Sequence, residues 1–426
     1  MSAYTRKLWC TAMTACASLV TSTALAQGLE FTQIQRGRYI SKAADCISCH
    51  TVKGGKPYAG GYPVETPFGT IYSSNITPDL ETGIGKWSKD DFYRAMHEGI
   101  RRDGEHIYPA CPYPAFTKMT RADVDALKDY LDTLNPVRAQ NPPNDLIWPL
   151  GWRTLLAGWN ALFFHEGEYT PVDGKSDVWN RGAYLVQGAG HCAACHTPRN
   201  MLGASQGDHA LQGGDAGESW YAPSLTGHTR DGLGRWSTQD IVEYLKTGAN
   251  NDTASVGPMT EVVMNSTHHL TDADLQAIAT YLKDIPPHQA GQDEPEAISD
   301  SIMTHGKALY VDQCMGCHMA DGKGQKDAFP PLADSAPIQA AQPQTLIQVV
   351  LGGERMADPP LRPTGLGMPA FDWKLNDQDV ADVLTYIRNA WGNQAPAVDA
   401  GQVHDVRQAL QKYGPRYERL ITQSSH

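Results

Sequence analysis

The chain has 426 residues, of which 41% are hydrophobic, with 40 glycines, 28 prolines and a formal net charge of −12. That length leaves room for two to four domains, and the glycine and proline content favours short helices joined by long shaped loops. The negative charge excludes a non-specific grip on nucleic acid, and no run of like charge or low-complexity tract marks a disordered region.

The first segment reads as an export signal. Arg6 and Lys7 precede an apolar and small-residue stretch over 8–23, and Ala24-Leu25-Ala26 has the A-x-A form of a cleavage site, so residues 1–26 are expected to be removed and Gln27 to lead the mature chain. The alternative, a retained anchor, fits poorly because the stretch is short and weakly apolar. A lipoprotein cut ahead of Cys16 fits less well, since Met13-Thr14-Ala15 is a poor lipobox. Cleavage removes Cys10 and Cys16 and leaves seven cysteines.

The first repeat is expected over 28–140. A short helix, RGRYISKAAD with Gly37 near its start, leads into ADCISCHT, which holds Cys46, Cys49 and His50. Then come GIGKWSKDDFYRAMHEG (83–99), the loop IYPACPYPAF (107–116) with Cys111, and the amphipathic helix MTRADVDALKDYL (119–131). Residues 141–175 form an apolar linker. Its core, LIWPLGWRTLLAGWNALFF (146–164), carries three tryptophans. It is a poor membrane span but a good interfacial element, with Trp suited to the headgroup zone and Arg153 able to snorkel. An interdomain packing helix is the other reading.

The second repeat, 176–286, repeats the design: RGAYLVQGAG (Gly182), GHCAACHT (Cys192, Cys195, His196), GLGRWSTQDIVEYLKTG (232–248), SVGPMTEV (Met259) and LTDADLQAIATYL (270–282). The third, 298–394, follows a QDEPEA linker at 292–297. It runs HGKALYVDQ (Gly306), DQCMGCHM (Cys314, Cys317, His318), GLGMPAFDW (Met368) and LNDQDVADVLTYI (375–387). The three closing helices align without gaps. Thr120, Thr271 and Asn376 stand as N-caps, Asp123, Asp274 and Asp379 three residues on favour the helix N-terminus, and Tyr130, Tyr281 and Tyr386 share one register. A small residue at Gly37, Gly182 and Gly306 lets each opening helix cross its closing helix tightly, as in small cytochrome c folds. Trp87 and Trp236 correspond, either as donors to haem propionates or as core aromatics. The tail, 395–426, has apolar positions at Val403, Val406, Leu410, Leu420 and Ile421, interrupted by Gly414-Pro415.

Three C-x-x-C-H motifs define the chemistry. Two cysteines three positions apart lie on one face of a short helix and reach both vinyl groups of one haem; the next histidine points at the iron. A redox dithiol or half a zinc site needs no histidine there three times over. Three covalent haem c groups are expected, on Cys46 and Cys49, Cys192 and Cys195, and Cys314 and Cys317, with His50, His196 and His318 as proximal ligands. A thioether is the usual sixth ligand in electron-carrying domains. Met259 lies 63 residues beyond His196 and Met368 lies 50 beyond His318; at the matching place, 61 beyond His50, stands Cys111. Cys111 has no disulfide partner left. It is either the sixth ligand, where a thiolate stabilises Fe(III) and lowers the potential, or a small buried apolar residue beside an iron ligated elsewhere or five-coordinate. His106 is one substitute; Met119 and Met96 align with core leucines and are not.

On YAGGYPVETPFGTIYSSNITPD (58–79), YPACPYPAF (108–116), WNRGAYLVQGAGHCAACHTPRN (179–200) and YIRNAWGN (386–393), the chain resembles the triheme cytochrome c subunits of bacterial membrane-bound dehydrogenases. These are the quinone-dependent alcohol, aldehyde, gluconate, sorbitol and fructose dehydrogenases of acetic acid bacteria and relatives. The resemblance covers nearly all of the mature chain. It implies a mainly α fold of three tandem class I cytochrome c domains joined by linkers. It also implies a separate catalytic subunit holding pyrroloquinoline quinone, flavin or molybdopterin, with or without a small third subunit, and delivery of electrons to ubiquinone at the periplasmic face of the cytoplasmic membrane. Histidines 50, 196 and 318 match the family's proximal ligands and Met259 and Met368 its distal ones; Cys111 departs from the family's usual Met.

Two functions compete. An electron-transfer subunit with no catalysis of its own accords with the lack of a dinucleotide fingerprint, phosphate loop or placed nucleophile motif. A self-contained haem enzyme, peroxidase-like or binding a sulfur compound at a labile sixth position, would centre on Cys111. A mobile carrier feeding a terminal oxidase fits less well, given the apolar segment at 146–164.

Overall fold

The computed structural model describes residues 31–288 and 297–414. The expected export signal, all but the last residue of the QDEPEA linker, and Leu420 and Ile421 of the tail lie outside the described residues. The architecture is mainly α, in three units that follow one another along the chain. Each opens on a helix (31–43, Asp177–Gln187, Asp300–Gln313) and ends on a closing helix (Arg121–Asp132, Asp272–Lys283, Asp377–Ile387).

The closing helices start where the caps predict. The side chains of Thr120, Thr271 and Asn376 accept hydrogen bonds from the backbone N–H of Asp123, Asp274 and Asp379, and at Asn376 the Asp379 carboxylate reciprocates. Such caps contribute about 1 kcal/mol each. The crossing glycines are also where the repeats require them. A Cβ on Gly37, Gly182 or Gly306 would fall inside the backbone carbonyl of Ala126, Ala277 or Asp382, and against the Cβ of Tyr130, Tyr281 or Tyr386. The shared tyrosine register is thus the wall each glycine meets.

Small antiparallel ladders, which the helical periodicity does not predict, shape the loops. Pro63–Thr66 pairs with Gly69–Tyr72, which also takes Asp145–Leu146; Gly214–Gly217 pairs with Trp220–Ala222; and Glu354–Arg355 pairs with Gly367–Met368.

The first two units share one hydrophobic core and are joined by a pseudo-two-fold pair of polar clusters. Arg36 Nε donates to Asp123 and Tyr184 of the second unit donates to the same carboxylate. Reciprocally, Arg181 donates to Asp274 at 2.8 Å and Tyr39 of the first unit donates to Asp274 at 2.6 Å. Each tyrosine hydroxyl also accepts from the N-cap N–H of the other unit's closing helix, Thr120 or Thr271. Burial works to raise the Asp274 pKa, but the bonds from Arg181 and Tyr39 outweigh it and hold the carboxylate below its ordinary range. Hydrogen bonds to a charged group contribute about 1.5–3 kcal/mol, so each cluster locks the two units together. The third unit has Ala308 where the others have Tyr39 and Tyr184, and it docks differently: through Thr345, whose hydroxyl bonds the N–H and carbonyl of Tyr221, and through Gln348 on the carbonyl of Glu218. In the tail, helix Ala400–Tyr413 buries Val403 and Val406 against the third unit and ends at Gly414.

Within 146–164 only Leu155–Phe163 is helical. Arg153 does not face outward as a snorkelling residue would. Its guanidinium donates to the carbonyl of His106, pairs with Glu105 and stacks 4.7 Å over the ring of Tyr108, because these acceptors are at hand within the fold. The apolar side chains are the exposed part: Trp148 is 81%, Leu162 70% and Trp152 59% exposed. No helix among the described residues is long and apolar enough to cross a membrane.

Candidate haem centres

The three C-x-x-C-H motifs fold as single helical turns directly after the opening helices: Cys46–Cys49, Ala193–His196 and Met315–His318. A left-handed residue, Asp45 or His191, turns the chain sharply into the first two. Among the described residues none of the six cysteines is in a disulfide. Burial pushes Cys46, Cys49 and Cys192 up to about 12 and Cys314 to about 11. A redox dithiol needs the opposite, a thiol acidified by its surroundings, which these four cysteines lack.

Each following histidine is fixed in the same way. Nδ1 of His50 lies 2.7 Å from the carbonyl of Ser74, that of His196 2.7 Å from Pro223, and that of His318 3.0 Å from Pro330. A carbonyl only accepts, so Nδ1 carries the proton and Nε2 keeps its lone pair. Burial lowers the pKa of all three, favouring the neutral imidazole that an iron needs.

The residues expected as sixth ligands are Cys111, Met259 and Met368. In the second unit, Cys192, Cys195, His196 and Met259 line one mostly apolar cavity of about 260 Å³. Met259 sits in the first turn of Pro258–Asn265, after Gly257 in the left-handed region. Trp236 lines the same cavity and belongs to the core shared by the first two units, against which Trp87 also packs. Met368 packs against the core of the third unit from the strand opposite Glu354. Cys111 lies near enough to Cys46 and Cys49 that its charge would raise their pKa, and burial pushes its own up to about 11. It therefore lies near the attachment turn of its unit. Met96 and Met119 are core residues, as the alignment requires. The ring of His106 is bonded instead to Asn160 of the linker helix.

Several residues that couple the sites escape the motif reading. Asn265, ending the Met259 helix, donates at 2.8 Å to Ser48 within the first haem-attachment turn. Conversely His191, beside Cys192, stacks on Phe116 just beyond Cys111, with centroids 5.5 Å apart. Each attachment turn thus abuts the other unit's distal helix. On the far side, the buried Glu354 accepts from the N–H of Gly257 at 2.8 Å while its backbone pairs with Met368, joining both candidate methionines. The second cavity is lined by Ala43 and Asp45 from the first unit and Ala340 and Thr345 from the third. One signal for the coupling was in the sequence: a tyrosine two places after the crossing glycine in two repeats, absent from the other.

An apolar cavity lined by two thiols, a neutral imidazole of fixed tautomer and a methionine, with the same attachment turn in two further units, suits a protein that holds haem covalently and passes electrons. The cytochrome c family profile matches residues 34–135, 180–286 and 303–391, and the chain belongs to that family, with three haem c groups. It is 42% identical to the gluconate 2-dehydrogenase cytochrome c subunit of Pantoea cypripedii, over 88% of this chain and 89% of that one. It is 40% identical to the cytochrome c subunit of the quinone alcohol dehydrogenase of Gluconobacter oxydans (90% and 84%), and 38% identical to the fructose dehydrogenase cytochrome subunit of Gluconobacter japonicus (95% and 90%). It is a triheme electron carrier homologous to the cytochrome c subunits of bacterial dehydrogenases.

Proposed function

We propose that this chain takes electrons from a separate catalytic dehydrogenase subunit and delivers them to ubiquinone at the periplasmic face of the cytoplasmic membrane. The observation that carries the reading is the contiguity of three attachment sites, the middle one lined by residues of both neighbours, in a chain that aligns along most of its length with dehydrogenase cytochrome subunits. In this reading Cys46 and Cys49, Cys192 and Cys195, and Cys314 and Cys317 hold the haems. His50, His196 and His318 ligate the irons on one side, and Cys111, Met259 and Met368 on the other. Bound haem supplies one-electron chemistry at iron. The protein supplies fixed ligands, an apolar surround and short separations between sites.

Capture of the chain from solubilised membranes of its host tests this. A larger subunit bearing flavin, molybdopterin or pyrroloquinoline quinone is expected with it, and the haems should be reduced on adding that subunit's substrate. Recovery of the chain alone, with haems that no such subunit reduces, would refute it.

The membrane contact is assigned to the exposed face of 146–164. It is backed directly onto the Cys111 loop: Tyr108 donates to the carbonyl of Leu150 at 3.0 Å, and Tyr113 to Asn160 at 2.5 Å. On this reading the first haem is the one nearest the quinone. With a net charge of −12, adsorption must come from apolar burial rather than attraction to anionic lipid. Flotation with ubiquinone-containing phospholipid vesicles should therefore survive high salt. Replacing Trp148 and Trp152 by serine should weaken it by about tenfold or more, given roughly 1.5–3 kcal/mol for fully burying a large apolar side chain.

A further inference from the structure

We propose that the second unit carries a binding site for a divalent transition metal ion of the zinc class, formed by His228, Asp231 and His288 and separate from the haem centres. His228 and Asp231 stand in the loop that leads to Trp236. His288 comes from the strap beyond the closing helix, and potential ligand atoms of all three lie within 4.8 Å of one another. Asp231 Oδ2 is 3.6 Å from His288 Nε2, and Asp231 Oδ1 is 2.5 Å from His228 Nδ1. Four donors at about 2.0–2.2 Å from a tetrahedral zinc stand roughly 3.3 Å apart. The first edge is already near that length. The second is a hydrogen bond; with the ion at Nδ1 the His228 ring would carry its proton on Nε2 instead, letting the pair open. The two imidazole rings are inclined at 43° with centroids 4.7 Å apart, converging on the carboxylate.

The surroundings are those of a ligand set. Nδ1 of His288 lies 2.8 Å from the Thr226 hydroxyl. Such an outer hydrogen bond orients a ligating imidazole and leaves Nε2 for the metal. Asp231 and His288 side chains are about nine-tenths buried, and burial keeps His288 in its neutral form. The charge of Arg230 is also felt at His288, which moderates affinity for a dication.

The internal repeat supplies a second, independent observation. Asn75–Trp87 and Ser224–Trp236 align without gaps, as do the stretches that end at Val137 and His288. The Thr77 hydroxyl of the first unit accepts from the backbone N–H of Val137, whereas the Thr226 hydroxyl bonds the ring of His288. At the three ligand positions the first unit has Asp79, Thr82 and Val137, where Asp79 simply accepts from the Thr82 hydroxyl and N–H. The same corner closes without a metal set in one repeat and with two histidines and a carboxylate in the other. The ion would brace the loop that frames the second haem cavity to the chain leaving the closing helix.

The first repeat also provides the test. Asp231→Thr and His288→Val install residues with which this corner is already seen to close. Zinc chloride is titrated into the untagged, haem-loaded protein by calorimetry after EDTA treatment. The native protein should bind one zinc per chain at this site and unfold at a higher temperature with zinc present. Each single variant should lose at least about tenfold in affinity, and the double variant should lose the site, with haem spectra unchanged. Equal zinc uptake and equal thermal shift in native protein and double variant would overturn the proposal. Should the variants fail to accumulate, zinc should shield His228 and His288 of the native protein from diethylpyrocarbonate, and labelling at both that is indifferent to zinc would overturn it equally.

Discussion

Gly182→Val should prevent the second unit from maturing, leaving little or no protein that carries three haems. The opening helix lies so close to the closing helix that a Cβ at this position would occupy the Ala277 carbonyl, with the Tyr281 Cβ also in contact. Neither obstacle is the end of a flexible side chain. Relief requires the two helices to separate, and that separation unpacks Leu185, Leu275, Ile278 and Leu282 of the shared core. Overpacking that side chains can absorb costs about 1–3 kcal/mol; a clash with backbone in the central helix pair exceeds that and belongs with the exceptional changes above about 4 kcal/mol. The effect also crosses the unit boundary. Tyr184 sits two residues along the same helix and is bonded to Asp123 of the first unit, so a displaced helix loosens both. Gly158→Ala, in a helix where a Cβ meets nothing within 4 Å, is the control and should be neutral or stabilising by up to about 1 kcal/mol. Haem counts by intact mass and denaturant unfolding of both variants decide it. A Gly182→Val protein with three haems and near-native stability would show that the crossing is not needed.

The same crossing shows what could be read from the sequence. Glycine recurs eight to ten residues before each C-x-x-C-H, and tyrosine at the same step in each closing helix. Local periodicity and caps therefore located every helix pair, and the Cys and His spacing located the attachment turns. What escaped was relational. The ladder through Glu354 and Met368 is two residues long, too short for any alternation. The Tyr39–Asp274 and Tyr184–Asp123 bonds join residues far apart in the chain, and only their recurrence hints at them. The exposed character of Trp148 and Trp152 was equally undetermined, because the apolar content of a segment does not say which face it turns to water. Arg153 illustrates this: its place beside tryptophans fits an outward cation, yet Glu105 and the His106 carbonyl hold it inside the fold.

Cys111→Met should raise the potential of the first haem by about 100 mV or more, since axial ligands set haem potentials across a range of ≈ 0.8 V. Thiolate donates charge to iron and favours Fe(III), whereas thioether favours Fe(II). The loop is built to hold one side chain in place: Cys111 N–H donates to Tyr108 at 2.9 Å, and Tyr108 and Tyr113 on either side are anchored to the linker segment. Burial alone pushes the Cys111 thiol up to about 11. Without a cation beside it the group is therefore a neutral thiol at neutral pH, and only a metal facing it makes the thiolate the stable form. Ligation releases a proton, so the native first haem should become harder to reduce as pH rises, and the Met variant should lose that dependence. A spectroscopic count accompanies the titration. Two haems of the native protein should contribute the weak far-red band of ferric iron bound by thioether, and all three should do so in the variant. A first haem whose potential, pH dependence and far-red absorption are the same with Cys, Met or Ala at 111 would make the residue a packing element. The distal side of that iron would then have to be assigned to another group.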